Sequence, residues 1–191
     1  MLNNPNIFYK KKILIYGLGK SGLSVFRFLK KDNEITTFDD KIKTYNKKII
    51  KKKFDYIIIS PGIDINKCSL SKFLRDNSKK IYTDLDIFYD CFKYNNKITV
   101  TGTNGKSTTA KILYEILRDQ KIDVRLVGNI GNPVLLEKKI TNQTVFVIEA
   151  SSYQLEYSKL FKSNISLILN VSPDHLERHG TIKKYVSAKF N

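Results

Sequence analysis

Apolar residues along this chain gather in short runs separated by polar, glycine-containing turns, and the runs alternate between two periods. Lys12–Tyr16, Ile35–Phe38, Phe54–Ile59, Ile81–Tyr82, the run opening at Ile98, Val124–Val127, Thr144–Ile148 and Ile165–Asn170 are continuous and rich in β-branched residues. Strands covered on both faces of a parallel sheet have that pattern. Between them, Leu23–Leu29, Ser69–Arg75, Asp84–Phe92, Thr108–Asp119 and a final stretch from about Thr181 read as helices. In the fourth of these, Ile112, Leu113, Ile116 and Leu117 recur at helical spacing, so the whole set is expected to pack. Alternating strands and helices predict an α/β fold with parallel sheets and ligands at the carboxyl ends of the strands. The polar segment 93–97 places a domain boundary near residue 94, dividing the chain into 1–94 and 95–191.

The 191 residues are 41% hydrophobic and 12% aromatic, enough for a substantial core. Cys68 and Cys91 have neither metal-ligand spacing nor a disulfide pattern, so reduced thiols and a cytoplasmic location are expected. The longest apolar runs, such as Tyr56–Ile59 and Ile165–Leu169, are too short to cross a bilayer, and no membrane insertion is expected. A formal net charge of +16 raises nucleic acid or an anionic membrane as partners. The lysines are nevertheless spread along the chain among many Asn and Ile, as AT-rich coding would give. Lys10–Lys12 and Lys47–Lys53 read as solvated faces beside apolar strands. No nucleic-acid partner is expected.

The chemistry concentrates at strand ends. Residues 98–109, ITVTGTNGKSTT, run from a strand through Gly102, Thr103, Asn104, Gly105, Lys106, Ser107 and Thr108 into a helix. Glycines there let backbone N–H groups turn onto phosphate oxygens, Lys106 adds a mobile charge, and the Ser107 hydroxyl suits Mg²⁺. The loop is shorter than the general phosphate-loop pattern, with Val100 where the first glycine would stand. A plain turn before a surface helix is the bland alternative. Gly17-Leu18-Gly19-Lys20-Ser21-Gly22 also follows a strand and opens a helix, with Asp39-Asp40 ending the next strand. That spacing fits a dinucleotide fingerprint, although any nucleotide diphosphate exploits such a helix start. The two signals make residues 1–94 a Rossmann-like nucleotide-binding domain and 95–191 a P-loop-type parallel-sheet ATPase domain.

Four more segments sit at strand ends: Ser60-Pro61-Gly62-Ile63, Gly128-Asn129-Ile130-Gly131, Glu149 through Glu156, and Asn170 through Gly180. Glu149 ends a buried-looking strand, where a carboxylate needs a cationic partner or serves as a helix cap. His175 is either a ligand or a solvent-facing loop histidine, and His179 reads as surface. In the last helix Ile182, Tyr185, Val186 and Lys189 share one face. Lys189 either snorkels or is a buried amine of lowered pKa, able to take up CO₂ as a metal-ligating carbamate.

In this order and spacing, GLGKSG, SPGI, TGTNGKST, GNIG, EASSYQLE, NVSPDHLERHG and YVSAK resemble the Mur ligase family over nearly the whole chain, most closely its D-glutamate-adding members. The resemblance implies an ATP-dependent carbon–nitrogen ligase of peptidoglycan synthesis, monomeric, which joins D-glutamate to UDP-N-acetylmuramoyl-L-alanine through an acyl phosphate. It assigns Gly17, Gly19, Lys20, Ser21, Asp39 and Ser60 to the uridine diphosphate part of the substrate, with Asn129, Ser151 and Gln154 at its muramoyl-alanine end. It places Gly102–Thr108 on the ATP phosphates, Lys106 at the transferred group, Ser107 and Glu149 on one Mg²⁺, and His175 with carbamylated Lys189 on a second. Asn104, where the alanine-adding members carry histidine, argues against that sibling. Family members continue well past the equivalent of Lys189, so the 191 residues are expected to be an amino-terminal portion with an incomplete ATPase domain and little activity alone. Another amino-acid-adding Mur ligase is the nearest rival. An NAD-dependent oxidoreductase would use only GLGKSG and Asp39, and a basic nucleic-acid-binding ATPase would leave the remaining motifs without a role.

Overall fold

In the computed structural model, which describes residues 6–42 and 49–190, eight strands form two separate four-stranded parallel sheets. Lys47 and Lys48 of the second lysine cluster lie outside the described residues. The first sheet comprises β1 (Lys12–Tyr16), β2 (Glu34–Phe38), β3 (Tyr56–Ile59) and β4 (Ile81–Tyr82), in the order β2-β1-β3-β4. Helices α1 (Lys20–Leu29), α2 (Ser71–Asp76) and α3 (Asp84–Cys91) accompany it. Residues of β1 alternate between two cores: Ile13 and Ile15 join one buried cluster, Leu14 and Tyr16 the other. That is the period-2 geometry of a strand covered on both faces.

The second sheet contains β5 (Lys97–Thr101), β6 (Val124–Gly128), β7 (Val145–Glu149) and β8 (Ile165–Ile168), in the order β6-β7-β5-β8. Its helices are α4 (Lys106–Asp119), α5 (Ser152–Leu155), α6 (Leu176–His179) and α7 (Ile182–Lys189). Helices α1 and α4 begin before the expected Leu23 and Thr108, because each glycine loop passes directly into a helical turn. The expected packing of α4 is half right. Ala110, Leu113 and Leu117 lie against Val100, Val124 and Val147, whereas Ile112 and Ile116 face solvent. Strand β8 stops at Ile168, two residues short of expectation, and the Asn170 amide instead braces the phosphate loop.

Helix α3 joins the two halves. Thr83 and Asp86 form a capping box at its start, and Leu85, Ile87 and Phe88 belong to a core that includes Ile15 and Ile58 of the first sheet and Phe146 and Ile148 of the second. The Phe88 and Phe146 rings meet edge-on, 4.8 Å apart. Buried Asp86 gathers donors from across the junction: Oδ1 accepts from the Ser158 hydroxyl and from the backbone N–H groups of Lys159, Leu160 and Phe161, at 2.7–3.2 Å. Below α3, the buried Lys97 ammonium donates to the carbonyls of Phe92 and Asn95 at 2.5 and 2.7 Å. Asn95, also buried, donates to the carbonyls of Thr141 and Thr144.

Candidate nucleotide and phosphate sites

The loop after β1 is shaped by glycine. Gly17 has φ +91°, and a Cβ on Gly22 would stand 1.8 Å from the Gly17 carbonyl, so the start of α1 approaches the strand as only glycine permits. Gly19, between them, faces open space. The Ser60 hydroxyl donates to the Gly17 carbonyl at 2.7 Å, and Asp39 accepts from the N–H of Leu18 at 2.6 Å and of Lys41 at 2.8 Å. Asp39 therefore holds the loop through its backbone. Asp40 accepts from the Tyr16 hydroxyl at 2.7 Å and from Ser69, and burial with that carboxylate drives the Tyr16 phenol far above its ordinary pKa. Ser21 bonds the buried Asp84 carboxyl, whose pKa burial pushes up to about 6.

The loop after β1 opens onto a cleft of about 710 Å³. Gly17, Gly19, Lys20, Ser21, Asp39 and Ser60 form its first wall, and Asn129 and Gln154, from the second half of the chain, form the other. Ser151 is not on that wall: its hydroxyl and the Gln154 side chain cap α5 reciprocally.

The second loop follows β5. Gly105, in the left-handed region at φ +81°, turns the chain into α4, while the Asn104 N–H is fixed by the Asn170 side chain at 2.9 Å. Lys106 folds back so that Nζ donates to the Thr103 carbonyl at 2.7 Å. The Ser107 hydroxyl donates to Glu149 Oε2 and the Asn129 amide to Oε1, both at 2.9 Å. Glu149 is buried at the end of β7, and the end of β6 comes so close that a Cβ on Gly128 would be 2.2 Å from the Glu149 carbonyl. A buried carboxylate beside a hydroxyl is a hard oxygen pair suited to Mg²⁺. Among the described residues no three His, Cys, Asp or Glu side chains converge as a metal cage. Mg²⁺ at Glu149 would therefore depend on water and phosphate oxygens, its usual habit.

On the other side of the phosphate loop, buried Lys189 donates to the Gly102 carbonyl at 2.8 Å and lies 4.5 Å over the Tyr185 ring. Burial lowers its pKa, with Asp174 acting in opposition. A lowered pKa brings the amine nearer to the uncharged form that a carbamate requires. His175 adopts the left-handed conformation (φ 51°) at the start of α6, and its half-exposed ring lies 3.5 Å from Asp174, 3.6 Å from Glu177 and against Tyr153.

His179 overturns the surface expectation. It is 4% exposed, its Nε2 lies 3.0 Å from the Ser152 hydroxyl, and it is packed between the rings of Tyr153 and Tyr185. Burial lowers its pKa, so the neutral ring is the one stabilised here. Two further residues escaped the sequence reading. Arg178 pairs with Glu156 at 2.8 Å and donates to the Ile63 carbonyl of the first half at 2.7 Å; Tyr185 bonds Thr103 at 3.0 Å. Tyr185 had a signal, standing one turn before Lys189 on the same helix face.

Two glycine loops, each after a central strand and opening a helix, with a cleft between the sheets, define a parallel-sheet α/β protein with the architecture on which nucleotide phosphates are held. Residues 100–191 match the family described as Mur ligase middle domain. The chain is 36% identical over 96% of its length to UDP-N-acetylmuramoylalanine–D-glutamate ligase of Rickettsia bellii (strain RML369-C), covering 43% of that protein. It is 36% identical over 95% of its length to the ligase of the same name from Caldicellulosiruptor saccharolyticus, covering 45%. It thus spans a little under half the length of these curated relatives. Among solved structures, a UDP-N-acetylmuramate:L-alanyl-gamma-D-glutamyl-meso-diaminopimelate ligase from Neisseria meningitides shares the fold at TM-score 0.57 and 13% identity, over 94% of this chain and 66% of that one. UDP-N-acetylmuramate-alanine ligase from Thermotoga maritima does so at TM-score 0.50 and 22% identity, over 93% of this chain and 46% of that one. The chain belongs to the Mur ligase family.

Proposed function

We propose that this chain carries the uridine-precursor site and the ATP-phosphate site of a cytoplasmic, monomeric, ATP-dependent carbon–nitrogen ligase that adds D-glutamate to UDP-N-acetylmuramoyl-L-alanine. Its two domains are 1–94 and 95–191. The observation that carries the reading is the cleft walled on one side by Gly17, Gly19 and Ser60 and on the other by Asn129 and Gln154. A ligand whose diphosphate lies on the first loop points its far end at the second sheet, where the phosphate loop and Glu149 wait. Naming D-glutamate as the added amino acid rests on the names of the relatives.

In this reading Gly19 and the first turn of α1 bind the diphosphate, with Lys20 supplying charge. The Gly102–Thr108 loop holds the ATP phosphates, and Lys106 leaves the Thr103 carbonyl to neutralise the γ-phosphoryl group. Glu149 and Ser107 would hold one Mg²⁺, and His175 with carbamylated Lys189 a second; such ions neutralise phosphate oxygens that would otherwise repel the incoming carboxylate. A carboxylate oxygen of the muramoyl-alanine end attacks the γ-phosphorus and ADP leaves. The D-glutamate amine then attacks the acyl carbon and expels phosphate, giving the amide.

Calorimetric titration with UDP-N-acetylmuramoyl-L-alanine and, separately, with NAD⁺ tests the first site. Binding of the uridine precursor alone supports the ligase reading. Binding of NAD⁺ alone would replace it with a dinucleotide oxidoreductase.

A further inference from the structure

Because β1 to β4 run parallel, the residues that precede them meet at one edge of the first sheet, opposite the cleft. Within the five residues before each strand, this edge holds nine lysines against three aspartates: Lys10 and Lys11, Lys30 and Lys31, 51–53, and Lys79 and Lys80. The same windows in the second sheet hold three lysines against two aspartates. Both halves share one coding bias, so the contrast belongs to the first sheet. All nine lysines except the half-buried Lys11 are exposed. Of the carboxylates there, Glu34 is paired with Lys12 at 3.6 Å and Asp55 accepts the Lys12 N–H at 2.8 Å, leaving Asp32 and Asp76 against the row. Ile7, Tyr9 and Ile50 are exposed among the lysines, with Tyr9 5.3 Å from the Lys10 ammonium.

We propose that this edge is a docking face for the surface of an anionic phospholipid bilayer. Four strands about 4.8 Å apart spread the charge across roughly 15 Å. A flat field of that size suits a plane of headgroups, whereas single-stranded nucleic acid is held in grooves with stacked rings, and Tyr9 is the exposed ring in the patch. Lysine stems can lie along the interface with their ammonium groups among phosphates, while Ile7, Tyr9 and Ile50 enter the headgroup layer. Docking this way turns the cleft toward water. The inference is independent of what the cleft binds.

Co-flotation of the 191-residue chain with phosphatidylcholine vesicles, with and without about a third phosphatidylglycerol, tests it at low and at about 0.5 M salt, where screening should release the protein. Binding is expected only to the anionic vesicles at low salt. A Lys10→Glu, Lys31→Glu, Lys52→Glu, Lys79→Glu variant should lose at least tenfold in partitioning, since each lysine near such a surface contributes about fivefold. A control of equal charge, Lys121→Glu, Lys138→Glu, Lys162→Glu, Lys183→Glu, should keep most of it. Hydrogen exchange of the unaltered chain on vesicles should show protection at 7–12, 30–34 and 51–55, a readout that needs no variant. The proposal is overturned by no flotation, by equal losses in the two variants, by protection elsewhere, or by tighter binding to duplex RNA or DNA than to the vesicles at equal salt.

Discussion

Gly19 and Gly22 stand three residues apart, one capping α1 and one in its first turn, and do different things. A methyl group on Gly22 meets the Gly17 carbonyl at 1.8 Å, while one on Gly19 meets nothing within 4 Å. Gly22→Ala is therefore expected to lower stability by about 3 kcal/mol or more through backbone displacement, measured by urea unfolding. Gly19→Ala should change stability by less than about 1 kcal/mol yet, under the proposed function, weaken the uridine precursor at least tenfold in calorimetry, because its open side is where that reading brings a diphosphate close to backbone. Lys97 makes a separate prediction in pH. Burial brings its pKa down to about 8 from 10.5, so between these values the unfolded chain holds a proton that the folded one has released. The Lys97 contribution to stability should accordingly rise from pH 8 to 9.5, while buried Cys91, whose thiol is pushed up to about 12, contributes with the opposite sign; the urea midpoint of the unaltered chain should therefore gain on that of Lys97→Met across this range. These glycine loops were legible because their function is written in backbone freedom. The burial of His179 was not, since it depends on Ser152 and Tyr153 of one helix and Tyr185 of another being brought against its own.

At the level of elements, strands were read well because a strand covered on both faces leaves an uninterrupted apolar run. Helices α5 and α6, four residues each, are too short to show a period and were not anticipated. Helix α4 shows a subtler limit: the 3.6-residue period marked Ile112, Leu113, Ile116 and Leu117 together, but one narrow contact with the sheet accepts only half of them. Leu117→Ala is expected to cost about 1–3 kcal/mol, and Ile116→Ala, its exposed neighbour, less than about 0.5. Equal costs in thermal or urea unfolding would mean that α4 is rotated from the orientation described. The lysine row was hidden for a related reason, because its members are some twenty residues apart in sequence and only the parallel strand order gathers them.

For the molecule as a whole, the junction of the halves is polar and specific as well as apolar. Asp86 satisfies one hydroxyl and three backbone N–H groups of residues 158–161, and deleting its carboxylate removes the acceptor that these four donors share. Asp86→Ala is expected to cost about 3 kcal/mol or more. It should also convert a single cooperative unfolding transition into two, seen when tyrosine fluorescence and far-ultraviolet circular dichroism cease to coincide. Asp86→Asn, with one oxygen acceptor kept, should fall between. Of this junction the sequence showed only the helix Asp84–Phe92 and the strand Thr144–Ile148 that meet in it; the pairing of Asp86 with a loop more than seventy residues away was not legible.

The short passage from α3 to β5 has a mechanical consequence. Asn95 is anchored to two carbonyls of the second half, and Lys97 to the end of α3, so the five residues of the connector have no slack in which to bend. A cleft whose walls are braced in this way is a fixed jaw, shaped before any ligand arrives. The two sheets are therefore expected to keep the same separation whether the cleft is empty or filled.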